Sequence, residues 1–190
     1  NAGDTGSVSN SGSLLADGGV VTMTAQSAEG VARSLVNNSG IVRANTLVER
    51  NGEVWITGDD VTNSGQVSAR SDSTAAGGRI TLMADLQRGE ARVGGTLDAS
   101  SAGGDGGFIE TSGSRVKLAG DARITTAAPQ GRTGTWLIDP TDFNVAASGG
   151  DLTGAQLSTQ LASNNVTIAS TAGAGGVLGD VNIADSVSWS

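Results

Sequence analysis

The chain has 190 residues and a formal net charge of −8, from 11 lysine and arginine residues against 19 aspartate and glutamate residues. This acidic balance argues against binding to nucleic acid or to anionic lipid. Thirty residues are glycine, aromatic residues make up 3%, and cysteine and histidine are absent, which excludes a disulfide framework and thiolate chemistry. No apolar run approaches the ~20 residues of a membrane-spanning helix, so membrane insertion is not expected.

The first organising feature along the chain is an internal repeat. The tripeptide Asn-Ser-Gly stands at 10–12, 38–40 and 63–65, and two further glycines extend the series. The glycines of the series, which are 28, 25, 30 and 25 residues apart, are Gly12, Gly40, Gly65, Gly95 and Gly120. A period of this length is typical of a solenoid built from stacked repeats.

Three short segments of each repeat alternate apolar and mostly polar residues, as half-buried strands do. In the first segment, the apolar positions two and four residues after the series glycine are Leu14, Val42, Val67, Leu97 and Ala122, then Ala16, Ala44, Ala69, Ala99 and Ile124. The second segment follows a second glycine in each repeat, which is Gly19, Gly52, Gly78, Gly107 or Gly134. Its apolar positions are Val21, Val54, Ile80, Ile109 and Trp136, then Met23, Ile56, Leu82, Thr111 and Ile138. The third and weaker segment contributes Val36, Val61, Ala91 and Val116.

These segments predict an all-β fold, a right-handed parallel β-helix with three short strands in each coil of about 25–30 residues. One coil cannot bury its apolar rows alone, so coils stack in parallel at roughly 4.8 Å spacing. Glycine and asparagine at the corners are expected to supply positive φ angles. Asn10, Asn38 and Asn63 recur at one corner and are expected to form a hydrogen-bonded ladder.

The pattern changes near residue 139, so we predict regular coils over residues 1–138 and a β-helix continuation with a short inserted helix over 139–190. Thr153 and Gln156 fit a capping box and Leu157 and Leu161 share one face, which predicts a helix from about 153 to 163. Strands are expected at 166–169 and 181–183, the second continuing to Trp189. The chain begins without methionine and shows no capping helix at either end, and we interpret it as a fragment of a longer chain.

Four stretches carry a resemblance to a known family: residues 107–127, 134–145, 153–171 and 179–190, with the run Trp-Leu-Ile-Asp-Pro at 136–140 the most specific. The chain resembles the filamentous-haemagglutinin-like exoproteins of bacterial two-partner secretion. The resemblance implies a very long β-helix that is exported through a partner outer-membrane transporter and is secreted or displayed on the bacterial cell surface. Members of the family serve as adhesins, biofilm-matrix proteins, haem-capture proteins and carriers of toxin tips. The Asn-Pro-Asn motif of the family's secretion domain is absent, so the segment is expected to lie further along its parent.

Candidate chemistry is sparse in the sequence, and we expect no enzyme activity, no cofactor and no metal. The carboxylates that general acid–base catalysis would need are Asp59 with Asp60 and Asp139 with Asp142, but arginine is scattered and tyrosine is absent. The glycine-rich run at 102–107 is interpreted as a turn. Trp55 falls on an outward position and is the one candidate for glycan contact, unless a loop covers it. Trp136 falls on an inward position and is expected in the core.

Three functions are therefore carried forward. The leading hypothesis is a structural shaft segment of a secreted bacterial adhesin that mediates attachment, aggregation or biofilm formation. The alternative is a specific binding module for a host haem-carrier protein, another host surface glycan or protein, or a matrix polysaccharide. The third is a polysaccharide-degrading β-helix enzyme.

Overall fold

The computed structural model describes residues 6–26, 33–47, 51–170 and 179–189, and within them the chain forms eighteen strands and one helix. In chain order these elements are β1 (Ser7–Asn10), β2 (Ser13–Leu15), β3 (Val20–Thr24), β4 (Leu35–Asn38), β5 (Ile41–Arg43), β6 (Glu53–Thr57), β7 (Asp60–Asn63), β8 (Gln66–Ser68), β9 (Arg79–Met83), β10 (Glu90–Val93), β11 (Thr96–Asp98), β12 (Phe108–Ser112), β13 (Arg115–Leu118), β14 (Arg123–Thr125), β15 (Thr135–Asp139), β16 (Phe143–Val145), α1 (Gly154–Leu161), β17 (Asn165–Ile168) and β18 (Val181–Ile183).

Up to β15, successive strands belong in turn to three different sheets. Each strand pairs in parallel with the strand that stands three places earlier in the chain. Sheet A contains β1, β4, β7, β10 and β13, sheet B contains β2, β5, β8, β11 and β14, and sheet C contains β3, β6, β9, β12, β15 and β17. The strands β16 and β18 form a separate parallel pair. The predicted all-β parallel β-helix, with three strands in each coil and one short helix, is confirmed.

The inward rows follow the predicted register. In sheet B, Leu14 pairs with Val42, Val42 with Val67 and Val67 with Leu97. The second-segment row of sheet C runs unbroken from Val21 to Trp136, as predicted. The residues of these rows that are fully buried include Val42, Val54, Val67, Ile80, Leu97, Ile109 and Trp136. The expected core position of Trp136 is confirmed.

The prediction for the fifth coil of sheet B is wrong by two residues. Leu97 pairs with Ile124 and not with Ala122. The corner before β14 comprises residues 119–122, whereas the corner before β11 comprises only residues 94–95, and the longer corner shifts the register. Gly120 lies within this longer corner and is therefore not the equivalent of Gly95.

The predicted asparagine ladder is present at the corner between sheets A and B. The Asn10 Nδ2 donates to Asn38 Oδ1 over 2.8 Å, and the Asn38 Nδ2 donates to Asn63 Oδ1 over 2.8 Å. Asn63 Nδ2 ends the chain of bonds on the carbonyl oxygen of Gly94, 2.7 Å away. All three side chains are buried, so the ladder satisfies polar groups inside the coil.

Positive φ angles are rarer than predicted. None of the described non-glycine residues has one, the three ladder asparagines included, whereas Gly95 does, with φ of 60°. Most corner glycines are required for a different reason, which is close stacking. A Cβ added to Gly78, Gly107 or Gly134 would overlap the carbonyl oxygen of the glycine one coil below.

The stacking changes after β15. The helix α1 begins where predicted, with Thr153 as N-cap and Gln156 completing the capping box, and it takes the place of a sixth strand at the edge of sheet B. Side chains of the helix and of the residues just after it bond the backbone of β14. The Ile124 N–H donates to Gln160 Oε1 over 3.1 Å, and Asn164 Nδ2 donates to the Ile124 carbonyl over 2.9 Å. The helix therefore closes one of the three sheets.

The other two sheets behave differently at this end. Sheet C continues with β17, whereas the edge of sheet A receives the carbonyl of Asp151, which accepts from the Leu118 N–H over 3.0 Å. The strand predicted at 181–183 is present as β18, but its predicted continuation to Trp189 is wrong. Beyond β18 the chain runs along α1: the Gly154 N–H donates to Asp185 Oδ2 and the Ser188 N–H donates to Ser158 Oγ. A helix offers no strand edge, so no strand forms there.

Candidate binding surface

The outer surface of sheet C carries the residue singled out by the sequence. Outward positions of successive strands align in two rows, Glu53 beside Arg79 beside Phe108, and Trp55 beside Thr81 beside Glu110. We call the cluster formed by Glu53, Trp55, Arg79, Phe108 and Glu110 the aromatic face. Two of the chain's five phenylalanine and tryptophan residues lie in it.

Arg79 organises the aromatic face. Its guanidinium lies 4.5 Å from the centroid of the Phe108 ring and 5.4 Å from that of Trp55. The same group donates to Glu110 Oε2 over 2.7 Å, and its Nε donates to Thr81 Oγ1 over 3.2 Å. Cation–π contacts at exposed sites contribute about 0.5–1 kcal/mol each, so the stack favours this arrangement of the rings.

Trp55 is half-buried on this face. Its Nε1 donates to Glu53 Oε2 over 3.1 Å, and the group lying over its ring is the guanidinium of Arg79. The indole therefore presents only part of its surface to solvent, at a fixed orientation.

A shallow depression of about 320 Å³ adjoins the stack. Its walls include Glu53, Arg79 and Phe108, and its floor is the bare backbone of residues 77–78 and 106–107. Gly78 and Gly107 belong to a series of corner glycines, continued by Gly134, that stack on one another from coil to coil with no room for a Cβ. We call such series the glycine columns. The Phe108 ring, the Arg79 guanidinium and the Glu53 carboxylate are the groups of this depression that can bind a sugar ring or a sugar hydroxyl. The backbone N–H groups of residues 77, 78, 106 and 107 already donate to other carbonyls.

The candidate carboxylates have structural partners. Asp59 is 8% exposed and accepts from Ser34, from the backbone N–H over 2.7 Å and from Oγ over 3.0 Å. Asp60 forms an ion pair with Arg33 and accepts from the Glu90 N–H. Asp142 accepts from the Asp180 N–H over 2.9 Å. The carboxylates of Asp59, Asp60 and Asp142 thus tie neighbouring coils together.

Among the residues that the structure describes, the carboxylates form no metal-binding arrangement. Asp139 ends β15, where its backbone pairs with Ser112. Within the described ranges, no group of three or more aspartate, glutamate, histidine or cysteine side chains lies close enough to hold a metal ion.

The glycine-rich run at 102–107 is a corner whose carboxylate binds the next coil. The backbone N–H and the guanidinium of Arg132 both donate to Asp105, over 2.9 Å and 2.8 Å. These bonds hold the pKa of Asp105 below its usual value, and the same carboxylate raises the pKa of Arg132. The run acts as a turn that joins two coils, as predicted.

The basic residues are less scattered than the sequence order indicates. The structure brings five of them to the outer surface of sheet A and the corner that precedes it, which we call the basic face: Arg33, Arg88, Arg92, Arg115 and Lys117. Sequence reasoning missed this surface because it followed only the inward positions of the third segment. The outward positions next to Ala91 and Val116 would have shown it.

Comparison with known proteins adds no relative. No family model, no curated protein and no solved structure matches the chain. No helix in the described part of the chain has the length and apolar character needed to cross a membrane. Any functional conclusion therefore depends on the geometry of the coils and their outer surfaces.

Proposed function

We propose that this chain is a structural shaft segment of a secreted bacterial surface adhesin of the filamentous-haemagglutinin-like type. The observation that supports this most strongly is the continuity of the coils. In each of the three sheets, strands from five successive coils pair in parallel without interruption. The function of such a segment is to be long and stiff, so that it projects a binding region away from the cell.

The hydrogen-bond ladders suit this mechanical role. They run along the axis of the solenoid on three sides, so a pull along the axis loads all three at one interface between coils. Separating two coils also exposes the buried apolar rows that run through them. We therefore expect neighbouring coils to resist extension together and to unfold cooperatively.

The composition fits export in an unfolded state followed by folding outside the cell. The chain has no cysteine, so folding requires no disulfide formation, and each coil contacts mainly the coils beside it. Together with the residues at 134–145 that resemble two-partner-secretion exoproteins, this supports an outer-membrane transporter as the partner of the parent protein and the bacterial surface as its destination.

A coil replacement in the producing bacterium tests the shaft proposal. Replacing residues 6–132 with unrelated β-helix coils of equal number should leave attachment and aggregation unchanged, because only length and stiffness are needed. Deleting the same residues should shorten the surface projection seen by electron microscopy and weaken attachment. If the replacement abolishes attachment while surface display stays normal, these coils bind the receptor themselves and the shaft proposal is wrong.

The aromatic face favours one second candidate, a glycan-binding module. The specific observation behind it is the Trp55 ring, whose Nε1 donates to Glu53, a residue that also lines the depression. A glycan array probed with the folded chain should then give saturable binding that Trp55→Ala removes. Trp189→Ala is the matched control, because Trp189 is 75% exposed and lines a different depression, which it shares with Ser158 and Thr159 of α1.

A further inference from the structure

The basic face points to a second ligand, different from any that the shaft role requires. Arg115 and Lys117 point outward from β13, and Arg92 points outward from the neighbouring β10, paired with Lys117. Arg33 lies at the corner before β4 and Arg88 at the corner before β10, and both line the same depression as Arg92 and Arg115. Five of the chain's 11 basic residues thus share one surface of a protein whose net charge is −8.

Two carboxylates lie on the same surface, and each already has a partner. Asp60 is paired with Arg33, and Glu90 is paired with Arg92. Arg88, Arg115 and Lys117 have no salt-bridge partner in the part of the chain that the structure describes. The face therefore retains an excess of positive charge, and Arg92 keeps a side chain that is 67% exposed.

The shape of the face suits an extended ligand. Its depression, of about 640 Å³, is an open trough and not an enclosed cavity. Arg92 and Lys117 are register neighbours, roughly 4.8 Å apart along the axis, whereas the register neighbour of Arg115 is Glu90. The residues lining the depression come from four successive strands of sheet A, β4, β7, β10 and β13, so it extends along the direction in which the coils stack. The hydroxyl groups of Thr62 and Ser114 line the trough and can bond neutral parts of a ligand.

We propose that the basic face binds a linear polysaccharide that carries carboxylate groups, lying along the solenoid axis. The Arg88 and Arg115 guanidinium groups present the planar forks that pair with carboxylates, and Lys117 adds a point charge. This inference does not depend on the shaft proposal, since a shaft needs no ligand on its side.

The same observations disfavour two other polyanions. None of the residues lining the trough is aromatic, so it provides no platform on which nucleic-acid bases stack. The net charge of −8 repels a dense polyanion or an anionic bilayer that extends beyond the patch. A uronate chain carries its charges more sparsely and can follow a narrow basic strip.

Titration with polygalacturonate tests the proposal at low salt, by calorimetry on the whole chain. We expect saturable binding that weakens as salt is raised, with no binding of neutral dextran. The double variant Arg92→Ala/Arg115→Ala should lower the affinity at least tenfold, and Lys117→Glu alone should lower it several-fold. Arg70→Ala/Arg132→Ala is the matched control, because it removes the same charge from other surfaces and should change the affinity less than twofold.

Three outcomes would overturn the proposal. Polygalacturonate fails to bind, or the control variant loses as much affinity as the basic-face variant, or duplex DNA or anionic phospholipid vesicles bind more tightly than the polysaccharide through the same residues. Circular dichroism and urea unfolding of each variant establish that it is folded before titration. Lys117→Glu tests the same face independently, because Lys117 is exposed and its replacement leaves the core unchanged.

Discussion

The regular coils and the region after β15 satisfy strand edges with different chemical groups, and the difference shows where the sequence is constrained. In the coils, the N–H and C=O groups of each strand pair with the backbone of the next coil. After β15, sheet C continues with β17, but at the edges of sheets A and B side chains and single carbonyls replace the next strand, as Gln160 and Asn164 do at β14. The coils therefore constrain the inward rows and glycine columns, whereas the end region depends on individual polar side chains.

The strongest test of this contrast is a charge placed inside a coil. Ile80→Asp buries a carboxylate in an apolar row, which should lower the free energy of unfolding by about 4 kcal/mol or more. Urea denaturation, monitored by circular dichroism, measures this loss. Thr22→Asp, on the exposed side of the same sheet, is the control, and its free energy of unfolding should stay within ~0.5 kcal/mol of the parent value. Val67→Asp should behave like Ile80→Asp. If either inward variant unfolds like the parent, the inward assignment is wrong.

The glycine columns should be the next most sensitive feature of the coils. Gly107→Ala forces a Cβ against the carbonyl of Gly78, so the two coils must separate locally, at a cost of about 3 kcal/mol. Gly120→Ala is the matched control, because a Cβ there meets no atom within 4 Å. Thermal unfolding should separate the two variants clearly, and equal melting temperatures would show that close stacking does not explain the columns.

The asparagine ladder is a part of the coils that depends on buried polar side chains, as the end region does. Asn38→Ala leaves buried groups of Asn10 and Asn63 without their partner and should cost about 2 kcal/mol. Asn37→Ala removes the same side chain from the adjacent outward position, where we expect less than ~0.5 kcal/mol. A similar loss in both variants would mean that the ladder contributes nothing specific.

We expect α1 to stabilise the neighbouring strand β14 more than it stabilises the coils further along the chain. Gln160→Ala removes the partners of the Ile124 N–H and the Ala122 carbonyl, which should cost about 1–2 kcal/mol. Hydrogen exchange at the Ile124 amide should accelerate, while amides in β8 and β9 stay protected. Thr159→Ala, on the exposed side of the helix, is the control, and unchanged exchange at Ile124 in Gln160→Ala would contradict the capping role.

The smallest expected effect concerns the Asp105–Arg132 pair between two corners. Because the folded-state pKa of Asp105 is lowered, its contribution to stability is present above the ordinary pKa of an aspartate and is lost as the pH falls through the lowered value. Both groups are exposed, so the change in stability is small. Arg132→Gln keeps the backbone N–H bond, which is the larger cause, and removes the guanidinium, so the pKa of Asp105 should rise only part of the way towards its usual value in an NMR titration. An unaltered pKa would rule out the guanidinium as a contributor.

The repeat made most of the coil structure predictable, since period-two alternation and recurring glycines determine which residues face inward. The fifth coil was misaligned because the length of a corner, which shifts Ile124 beside Leu97, leaves no mark in the alternation. The reason for the glycines was also missed, because the overlap at Gly107 involves the backbone of another coil. The capping role of Gln160 was beyond sequence reasoning, since its partner Ile124 is 36 residues away.

The aromatic face illustrates the same limit for the candidate site. Alternation placed Trp55 outward, but nothing near it in the sequence indicated that Arg79 would lie over its ring. The basic face needed the third segments of successive coils to be superposed before Arg92 and Lys117 became neighbours. Surfaces of a solenoid are assembled from residues one coil apart, so their chemistry emerges only with the register.

The asparagine ladder gives the solenoid a direction. Each amide donates towards the C-terminal coil, so the three side chains form a head-to-tail row of dipoles that polarise one another. The row is closed at both ends by backbone, since the Gly12 N–H donates to Asn10 Oδ1 and Asn63 donates to Gly94. Val93 then takes the next place in the register. The row thus has a defined length of three coils, and a slip of β4 by one residue during folding would break both asparagine–asparagine bonds at once.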